Sequence, residues 1–419
     1  MGNTPNVRFK GFTEDWEQRK LGELASSFEY GLNAAAKEYD GENKYIRITD
    51  IDDNTHEFLT DNLTSPDIEL TGADNYKLTE GDILFARTGA SVGKSYIYKN
   101  SDGLVYYAGF LIRARIKEEY DTEFVFQNTL TDRYNKYIAV TSQRSGQPGV
   151  NAQEYAEFEI KVPKKEEQTK IGTYFRNIDN LITLHQQKCD ETKEFKKYML
   201  QNMFPQKDEK VPKIRFDGFT GDWEQRKLKE IANKVSEKNK NNEFSEPFTN
   251  SAEQGIISQK DYFDREIVNN ENLDGYYIVR NDDFIYNPRI SVTAPVEPIN
   301  RNRLGRNGVM SPLYTVFRTH DIDNLYLEFY FKTTKWHRFM KLNGDSGARF
   351  DRFTISSTQF MEMPIPYPTL DEQQKIGKYF DSLDRLITLH QQKCNALKEF
   401  KKYMLQNMFP QKGENKCQN

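Results

Sequence analysis

The stretch that comes nearest to a cofactor site is "GASVGKS", from Gly89 to Ser95. It resembles a phosphate-binding loop, in which glycines and a lysine let backbone N–H groups surround a phosphate. Three residues separate its glycines, however, where that loop needs four. The residues "YIYKN" that follow predict a strand, so no helix N-terminus would face a phosphate. The sequence therefore predicts no nucleotide site here.

Two further stretches approach the signatures of enzymes that act on nucleic acids. "EIK" (Glu159 to Lys161) has the E-x-K shape of a metal-dependent nuclease, with Asp132 upstream, but the corresponding place later in the chain, "FMEMP", has no lysine. "YNPRI" (Tyr286 to Ile290) approaches the Asn-Pro-Pro-Tyr loop of adenine methyltransferases and lacks the second proline and the aromatic residue that holds a flipped base. No nucleophile, base and oxyanion site can be assembled. We predict a chain without catalytic residues and without a metal site.

Positive charge is concentrated in two segments of a chain whose formal net charge is −4. Five basic residues accompany one acidic residue between Ile83 and Ile116, and again between Phe284 and Arg318. Basic residues among Gly, Asn and Ser suit close approach to a phosphate backbone, and the arginine fork can bind guanine O6 and N7 together. Solvated surface charge is the alternative interpretation. The candidate DNA contacts in these segments and in the loops "SQRSGQPG" and "SGARFDR" are Arg87, Thr88, Lys94, Gln143, Arg144, Gln147, Asn287, Arg289, Arg301, Arg303, Arg306, Arg349 and Arg352.

The elements that must position these loops belong to two copies of one unit. Residues 11–21 return as 218–228 with ten of eleven positions identical, and residues 181–207 return as 386–412 with twenty-four of twenty-seven identical. The middles, 28–160 and 235–362, share little beyond faint echoes, such as "GDILFARTG" against "DDFIYNPR", which we take as counterparts. We infer that the ends meet each other or a shared partner, while the middles recognise two different things. The alternative is that the ends are only under tighter structural constraint.

The repeated ends are predicted to be long helices. From Glu166 to Phe204 apolar residues recur mostly three or four apart, with a second stripe beside them at Leu181, Leu184 and Tyr198. A helix of thirty-nine residues would be roughly 58 Å long, and two such helices would pack on each other. His185, His390, Cys189 and Cys394 would then lie at or beside the seam, although helix-surface histidines are the alternative. The residues predicted to pack between helices or against a partner are Ile171, Phe175, Ile178, Ile182, Phe195, Met199, Ile376, Phe380, Leu383, Ile387, Phe400 and Met404.

Each middle is predicted to be a mixed α/β domain rich in loops. "GDILFARTG" and "DDFIYNPR" suggest strands and turns, whereas "EFVFQNTLTDRYNKYI" and "LYLEFYFKTTKWHRFM" suggest helices. The 419 residues contain three cysteines and no CxxC pair, which argues against a disulfide framework or structural zinc. No apolar run is long enough to span a membrane. A cytoplasmic location is the expectation.

These features together resemble the specificity subunits of type I restriction-modification systems. "W-E-x-x-K-L" opens each copy, "GDILFARTG" follows in the first, and "EEQTKIG" or "DEQQKIG" opens each long helix. The resemblance implies two α/β target-recognition domains related by pseudo-two-fold symmetry and separated by two long helices that form an antiparallel coiled coil. The expected divisions are recognition domains at 1–165 and 214–368, helices at 166–207 and 369–412, a joint at 208–213, and a polar tail at 413–419.

The same resemblance implies what the chain does and with what. Each recognition domain would read one half of a bipartite, asymmetric duplex DNA sequence, and the helix length would set the gap at less than about 17 base pairs. Two methylation subunits that bind S-adenosylmethionine would dock on the chain, and the sequence leaves open whether two restriction subunits, which use ATP and Mg²⁺, join them. This chain itself would hold no cofactor.

Two other classes of function stay open at this point. The first is a coiled-coil scaffold that joins proteins and ignores nucleic acid. It predicts assembly that is insensitive to salt, whereas neutralising several phosphates gives a steep salt dependence. The second is a self-contained nuclease, which predicts Mg²⁺-dependent cutting that is lost on Glu159→Ala.

Overall fold

The computed structural model describes residues 4–143, 146–262, 273–288, 296, 298–344 and 355–410. The chain forms two compact units. Unit 1 comprises Met1–Gln186 and Gln391–Asn419, and unit 2 comprises Gln187–His390. Each unit therefore contains one of the variable middles, the first part of one long helix and the last part of the other.

Unit 1 is a mixed α/β structure. Its strands are β1 (Glu17–Lys20), β2 (Ala25–Tyr30), β3 (Ala36–Glu38), β4 (Lys44–Ile46), β5 (Thr64–Pro66), β6 (Ile83–Ala86), β7 (Ser95–Ile97), β8 (Val105–Tyr107), β9 (Leu111–Ile116) and β10 (Glu159–Val162). Its helices are α1 (Leu21–Leu24), α2 (Thr122–Asn128), α3 (Asp132–Thr141), α4 (Ala152–Ala156) and the first part of α5 (Lys165–Asn202).

The main sheet of unit 1 has four antiparallel strands in the order β2-β9-β6-β7. Three two-stranded sheets, β1-β10, β3-β5 and the parallel pair β4-β8, surround it. Strand β6, "ILFA", is buried along its whole length because both faces of the sheet are covered. The main core lies between this sheet, helices α2 to α4 and the two long helices.

Unit 2 repeats this plan with different residues. Its strands are β11 (Glu224–Lys227), β12 (Ala232–Lys234), β13 (Phe248–Ser251), β14 (Gly255–Ser258), β15 (Tyr277–Val279), β16 (Phe284–Tyr286), β17 (Ile299–Arg301), β18 (Gly308–Met310), β19 (Thr315–Thr319) and β20 (Pro364–Tyr367). Its helices are α6 (Gln259–Tyr262), α7 (Asn324–Phe331), α8 (His337–Asn343), α9 (Ser357–Phe360) and the first part of α10 (Leu370–Met408).

The main sheet of unit 2 has the order β12-β19-β16-β17, and all its pairs are antiparallel. Strand for strand this is the order found in unit 1, since β12, β19, β16 and β17 are each the tenth strand after β2, β9, β6 and β7. The middles that share so little sequence therefore share a topology. The prediction that "GDILFARTG" and "DDFIYNPR" are counterparts is confirmed, because β6 and β16 hold the same place.

The two long helices begin and end close to their predicted limits. Helix α5 covers Lys165–Asn202 and α10 covers Leu370–Met408. Thr369 Oγ1 accepts a bond from the Glu372 N–H at 3.4 Å, so Thr369 caps the start of α10. Helix α5 ends three residues before Pro205 and α10 ends two residues before Pro410, and neither proline could continue its helix.

The motif that opens α5 fixes the helix to the recognition domain. Glu167 is buried and accepts two bonds from Arg8, at 2.7 and 2.8 Å. Gln168 Oε1 accepts from the backbone N–H of Asp121, the residue that caps α2. A Cβ on Gly172 would lie 2.4 Å from the Asp121 carboxylate, so only glycine permits this close approach. "EEQTKIG" is thus a docking motif within the fold.

The motif that opens α10 makes the same contacts in unit 2. Arg215 pairs with buried Glu372 at 2.7 and 2.9 Å, and Gln373 accepts from the Asp323 N–H at 2.9 Å. A Cβ on Gly377 would lie 2.7 Å from the Leu325 Cβ. These matched contacts explain why the ends of the two copies stayed alike.

Within unit 1 the two long helices pack antiparallel. Along α5 the contacts run from Phe175, stacked on Phe409 at 5.8 Å, to Asp179, paired with Lys401 at 2.6 Å. Ile182 follows, and its carbonyl lies 4.0 Å from the sulfur of Cys394. As the residue numbers rise along α5, the numbers of the residues that they contact in and after α10 fall. This is the antiparallel arrangement expected from the sequence.

Unit 2 contains the same three contacts, and each residue in them is offset by 205 positions from its counterpart in unit 1. Phe380 stacks on Phe204 at 6.2 Å, Asp384 pairs with Lys196 at 2.5 Å, and the Ile387 carbonyl lies 3.8 Å from the sulfur of Cys189. Both cysteines are buried at the helix–helix contact of their unit, as predicted.

The residues predicted to pack between helices or against a partner divide into three groups. Buried ones are Ile171, Phe175, Ile178, Ile182, Ile376, Phe380, Leu383 and Met404. Met199 and Ile387 are half-buried. Phe195 and Phe400 are 48% and 45% exposed, so they do not pack between the helices. Phe195 lies six positions after Cys189. At 3.6 residues per turn this is a rotation of about 240° around the helix axis beyond a full turn, which places Phe195 off the face that Cys189 buries.

Candidate nucleic-acid interface

Two loops that are distant in the sequence of unit 1 meet beside strand β6. The backbone of Thr88 forms a bridge with that of Gly149, and the Gly89 N–H donates to the Pro148 carbonyl at 3.1 Å. The Val150 N–H in turn donates to the Arg87 carbonyl at 2.9 Å. The "ARTG" loop and the "GQPG" loop are therefore one surface. With the adjacent Tyr30, Phe110 and Gln143 it forms what we call contact surface 1, defined as residues 30, 87–91, 110, 143 and 146–150.

Contact surface 1 brings together four residues that the sequence singled out. Arg87 and Thr88 lie on its first loop, and the exposed Gln147 lies on its second. The Gln147 Nε2 atom is 3.2 Å from where a Cβ on Gly89 would lie, so the Gln147 side chain lies against Gly89 of the first loop. Gln143 is exposed where α3 ends, before the second loop.

The guanidinium of Arg87 lies over the ring of Tyr30, 4.9 Å from its centroid. Tyr30 and Phe110 are both exposed, and the Phe110 carbonyl accepts a bond from the Arg87 N–H at 3.0 Å. Stacking on an aromatic face fixes the plane of an arginine without using its hydrogen-bond donors. Arg87 can therefore present its N–H groups outward, as bidentate contact with a base or a phosphate requires.

The other basic residues of this segment are paired with carboxylates. Lys94 lies 2.5 Å from Asp53, Arg115 lies 3.2 Å from Asp82, and Lys99 lies 3.8 Å from Glu57. Arg113 is buried and pairs with Glu29 and Asp82. Counted over the residues that the structure describes, Arg87 is the member of this set that forms no ion pair. The predicted contact of Lys94 with DNA stays a prediction, since its described bonds go to Asp53 and to the Ile51 carbonyl.

The corresponding place in unit 2 is chemically different. Asn287 follows β16, is buried, and donates from its side chain to the Asn250 carbonyl at 3.1 Å. Tyr286 is buried and stacks on Phe360 at 5.1 Å. That ring is therefore inside the domain, where it could not stack on a base.

The predicted arginines of unit 2 that the structure describes pair with carboxylates. Arg301 and Arg303 both contact Glu328 at 2.8 Å, and Arg303 also reaches Asp381 on α10 at 3.1 Å. Arg306 pairs with Glu246 at 2.7 Å. These ion pairs hold β17 and the loop after it to α7, α10 and the rest of the domain. Contact with DNA stays a prediction for all three arginines, as it does for Arg144, Arg289, Arg349 and Arg352, which lie outside the described residues.

The stretches that approach enzyme signatures have structural roles. Gly89–Ser91 forms a single 3₁₀ turn and Ser95–Ile97 is strand β7, so a strand follows "GASVGK" as predicted. Glu159 is exposed on β10 and lies 3.7 Å from Arg133, while Asp132 accepts from Gln406 at 3.3 Å. Within the described ranges, the His, Cys, Asp and Glu side chains form no group that could hold a metal ion.

Each unit also presents exposed apolar side chains on its parts of the long helices. In unit 1 these are Leu181 and Leu184 on α5 with Phe400 and Tyr403 on α10. In unit 2 they are the equivalent residues with the helices exchanged, namely Leu386, Leu389, Phe195 and Tyr198. We call these sets apolar face 1 and apolar face 2. Identical apolar residues left exposed in both copies mark a surface for another protein.

Sequence reasoning missed Tyr30 and Phe110 as members of contact surface 1. Tyr30 lies outside the basic segments, and Phe110 lies within residues 83–116 but is uncharged. Each comes within reach of Arg87 through pairing of the strands that flank it. An exposed aromatic residue at the end of a strand was the available signal. It becomes specific only when the position of Arg87 is known.

Known proteins resemble this chain over nearly its whole length. The family model described as "Type I restriction modification DNA specificity domain" matches residues 13–194 and again 220–399. The specificity subunit of the type I restriction enzyme MjaVIII of Methanocaldococcus jannaschii is 22% identical over 412 residues, which cover 94% of this chain and 91% of that protein. The crystal structure of the type I restriction-modification S subunit from M. genitalium has the same fold, with a TM-score of 0.63 at 13% identity over 98% of this chain and 100% of that one. In the part of the chain that the structure describes, no helix is long and apolar enough to cross a membrane.

Proposed function

This chain belongs to the type I restriction-modification DNA specificity family, and we propose that unit 1 and unit 2 each read one half of an asymmetric, bipartite target in duplex DNA. The chain is the DNA-recognition subunit of its system, and catalysis lies in partner subunits. What remains to be assigned is which part of each unit reads DNA, and how the partners assemble.

One observation carries the proposal of two separate half-sites. Both units have the same strand order and the same helix contacts, yet the segment after β6 in unit 1 carries Arg87 and Thr88, whereas the segment after β16 in unit 2 carries buried Asn287. Base readout depends on which donors and acceptors reach the groove. Two equal frameworks with unequal chemistry suit a target whose halves differ.

Contact surface 1 is the proposed reading surface of unit 1. The guanidinium of Arg87 lies over the Tyr30 ring and forms no ion pair within the described residues, and Thr88, Gln143 and Gln147 add neutral donors and acceptors nearby. Arginine and glutamine can each make two hydrogen bonds to one base edge. The same residues could make phosphate contacts, which position a protein on DNA without specifying sequence.

Apolar faces 1 and 2 are the proposed docking sites of two methylation subunits. Each face contains two leucines, a phenylalanine and a tyrosine, and equivalent residues are offset by 205 positions. Each face would therefore bind the same partner surface. The proposal includes S-adenosylmethionine on those subunits, a cytoplasmic location, and ATP and Mg²⁺ on restriction subunits where these join. Helices of 38 and 39 residues would set the gap between the half-sites.

Co-expression with the methylation subunit of the same system tests both parts. Sequencing that detects methylated bases should find modification at a two-part sequence with a fixed gap, and native mass spectrometry should find two methylation subunits per chain. Absence of modification at any gapped sequence would contradict the proposed reading of two half-sites.

Variants of the apolar faces test the docking sites separately. Leu184→Glu with Tyr403→Glu should leave one methylation subunit bound, and Leu389→Glu with Tyr198→Glu should do the same. Asn395→Glu is a matched control because Asn395 is exposed on α10 but points away from apolar face 1 by helical periodicity. Two subunits bound to all of these variants would rule out the apolar faces as docking sites.

A further inference from the structure

Unit 2 contains a groove of about 1440 Å³ that the proposed DNA and methylation-subunit surfaces do not include. Its walls come from the last turns of α5, from residues 205–213 after that helix, from the start of β11, and from the α7–α8 turn. We call it the lysine groove. Its volume exceeds that of pockets for drug-sized ligands, which are about 300–1,000 Å³. The occupant should therefore be a polymer segment.

Basic residues outnumber acidic ones around the lysine groove by nine to four. Several of the lysines have their charge balanced nearby, as Lys196 does by Asp384 at 2.5 Å and Lys210 by Asp222 at 3.1 Å. Four other cations of the lining, Lys213, Lys332, Lys335 and Arg338, form no ion pair with any residue that the structure describes. This unbalanced charge is the feature that needs a partner.

Two of these cations are held where their charge is unfavourable. Burial lowers the pKa of the Lys335 ammonium, and the nearby Lys213 lowers it further while Glu209 opposes both. Burial also lowers the pKa of the Lys332 ammonium, whose Nζ donates to Asn300 Oδ1 at 2.8 Å. An anionic group in the groove would relieve the repulsion and restore the charged forms.

The shape and floor of the groove decide which polyanion it suits. Half-buried Leu200, Phe339, Pro364 and Pro366 contribute apolar surface to the lining. A DNA duplex is convex and polar, and it could not fill a concavity of this kind. A single strand would need a series of exposed aromatic rings for base stacking, whereas Trp223, Trp336 and Tyr330 of this lining are buried and Phe339 is half-buried.

The equivalent positions in unit 1 lack this excess of charge. Lys332 corresponds to Leu130, and Lys213 corresponds to Asn6, one residue before "VRFKGF" and "IRFDGF" begin their parallel course. Lys335 corresponds to Arg133, which lies 3.7 Å from Glu159. The lysine groove is therefore a feature in which the two copies differ, unlike the apolar faces. A partner that uses it would bind one copy and not the other.

We propose that the lysine groove docks an acidic segment of a partner protein, in which carboxylates meet the four unpaired cations and apolar side chains cover the floor. Charge complementarity supplies specificity and fast association, and the apolar contact supplies affinity. This inference is independent of the proposed DNA reading, because no residue of contact surface 1 takes part.

The test measures binding of fluorescein-labelled peptides to the full chain by fluorescence anisotropy. The probe is a twelve-residue peptide that alternates glutamate and leucine, and a peptide that alternates glutamate and serine tests the need for apolar groups. We expect the glutamate–leucine peptide to bind at least tenfold more tightly than the glutamate–serine peptide. Combined Lys213→Glu and Lys335→Glu should weaken its binding at least tenfold.

Lys136→Glu is the matched control, since Lys136 on α3 holds the place that Arg338 holds on α8, and it should leave peptide binding unchanged. Both variants should unfold at the wild-type temperature and retain DNA binding. Equal peptide binding by the wild type and the Lys213→Glu, Lys335→Glu variant would overturn the proposal. Displacement of the peptide by oligothymidine at equal concentration of negative charge would also overturn it, in favour of a nucleic-acid groove.

Discussion

Unit 1 and unit 2 differ in the segments that would contact DNA and share the contacts that hold their fold together. The sheet order, the arginine–glutamate pair at the helix start, and the stacked phenylalanines between the helices are the same in both. The segments that follow β6 and β16 are not the same. In unit 1 the segment presents an arginine stacked on an exposed tyrosine, whereas in unit 2 the residue at that point is a buried asparagine.

The comparison shows how one framework can carry two recognition chemistries. Contacts that hold the framework involve buried or close-packed groups, such as Glu167 and Gly172, which tolerate few substitutions. The two loops of contact surface 1 are joined by backbone hydrogen bonds, which most side chains permit. Loop side chains are therefore free to differ while their positions stay fixed.

The largest expected effect is on the matched phenylalanines between the helices. Phe175→Ala and Phe380→Ala should each destabilise the chain by about 3–5 kcal/mol, because each removes a fully buried ring. Chemical denaturation of the two variants checks the values. A cost in one unit of less than half the cost in the other would show that the two frameworks are not equivalent.

The glycines at the helix starts should give the next largest effect. Gly172→Ala and Gly377→Ala should each cost about 1–3 kcal/mol, since the new methyl group would overlap the cap of α2 or α7. Gly146→Ala is the control, because a Cβ there meets no atom within 4 Å. Thermal unfolding of the three variants makes the comparison, and unchanged stability of Gly172→Ala would show that the close approach is not needed.

Arginines of the two units should respond in opposite ways. Arg87→Ala should weaken specific DNA binding by about 1–3 kcal/mol with little loss of stability. Arg301→Ala should lower stability, because it leaves the buried Glu328 with one partner fewer. Paired measurements of DNA affinity and unfolding check both. Loss of DNA binding in Arg301→Ala at wild-type stability would assign that arginine to the interface.

The smallest expected effect is a pH dependence that belongs to unit 1. Burial lowers the pKa of His56, with a further contribution from Lys401, and its Nδ1–H donates to the Ser95 carbonyl at 2.9 Å. Below the ordinary histidine pKa of about 6.5 the unfolded chain takes up a proton that native His56 resists, so stability falls as the pH falls.

His56→Asn should remove part of this pH dependence, and asparagine tolerates the positive φ of 57° at this position. The measurement is the free energy of unfolding of wild type and variant at pH 7.5 and pH 5.5. Equal losses in the two proteins would mean that His56 does not contribute.

Much of the framework could be predicted from the sequence because it depends on periodicity and on repetition. The long helices follow from apolar residues at three- and four-residue spacing and from the prolines that end them. The matching of β6 with β16 follows from "GDILFARTG" and "DDFIYNPR". The role of "EEQTKIG" within the fold could not be predicted, since Gln168 and Gly172 act on Asp121, some fifty residues earlier in the chain.

The candidate interface was harder to predict because charge in a sequence does not show its partners. Arg87 and Arg301 both lie in segments rich in basic residues, so the sequence does not distinguish them. Only the structure shows that Arg87 lies over the Tyr30 ring and that Arg301 is bound to Glu328. Phe195 was likewise grouped with the residues predicted to pack between the helices or against a partner, because it is apolar. Its phase on the helix places it on the exposed face with Tyr198.

An exchange of residues 28–160 for the corresponding segment of another specificity subunit tests the central claim most directly. The measurement is the methylated sequence in a host that carries the complete system with the exchanged chain. We predict that one half-site changes while the other half-site and the gap stay as they were. A change in both half-sites would contradict the claim that each unit reads its own part of the target.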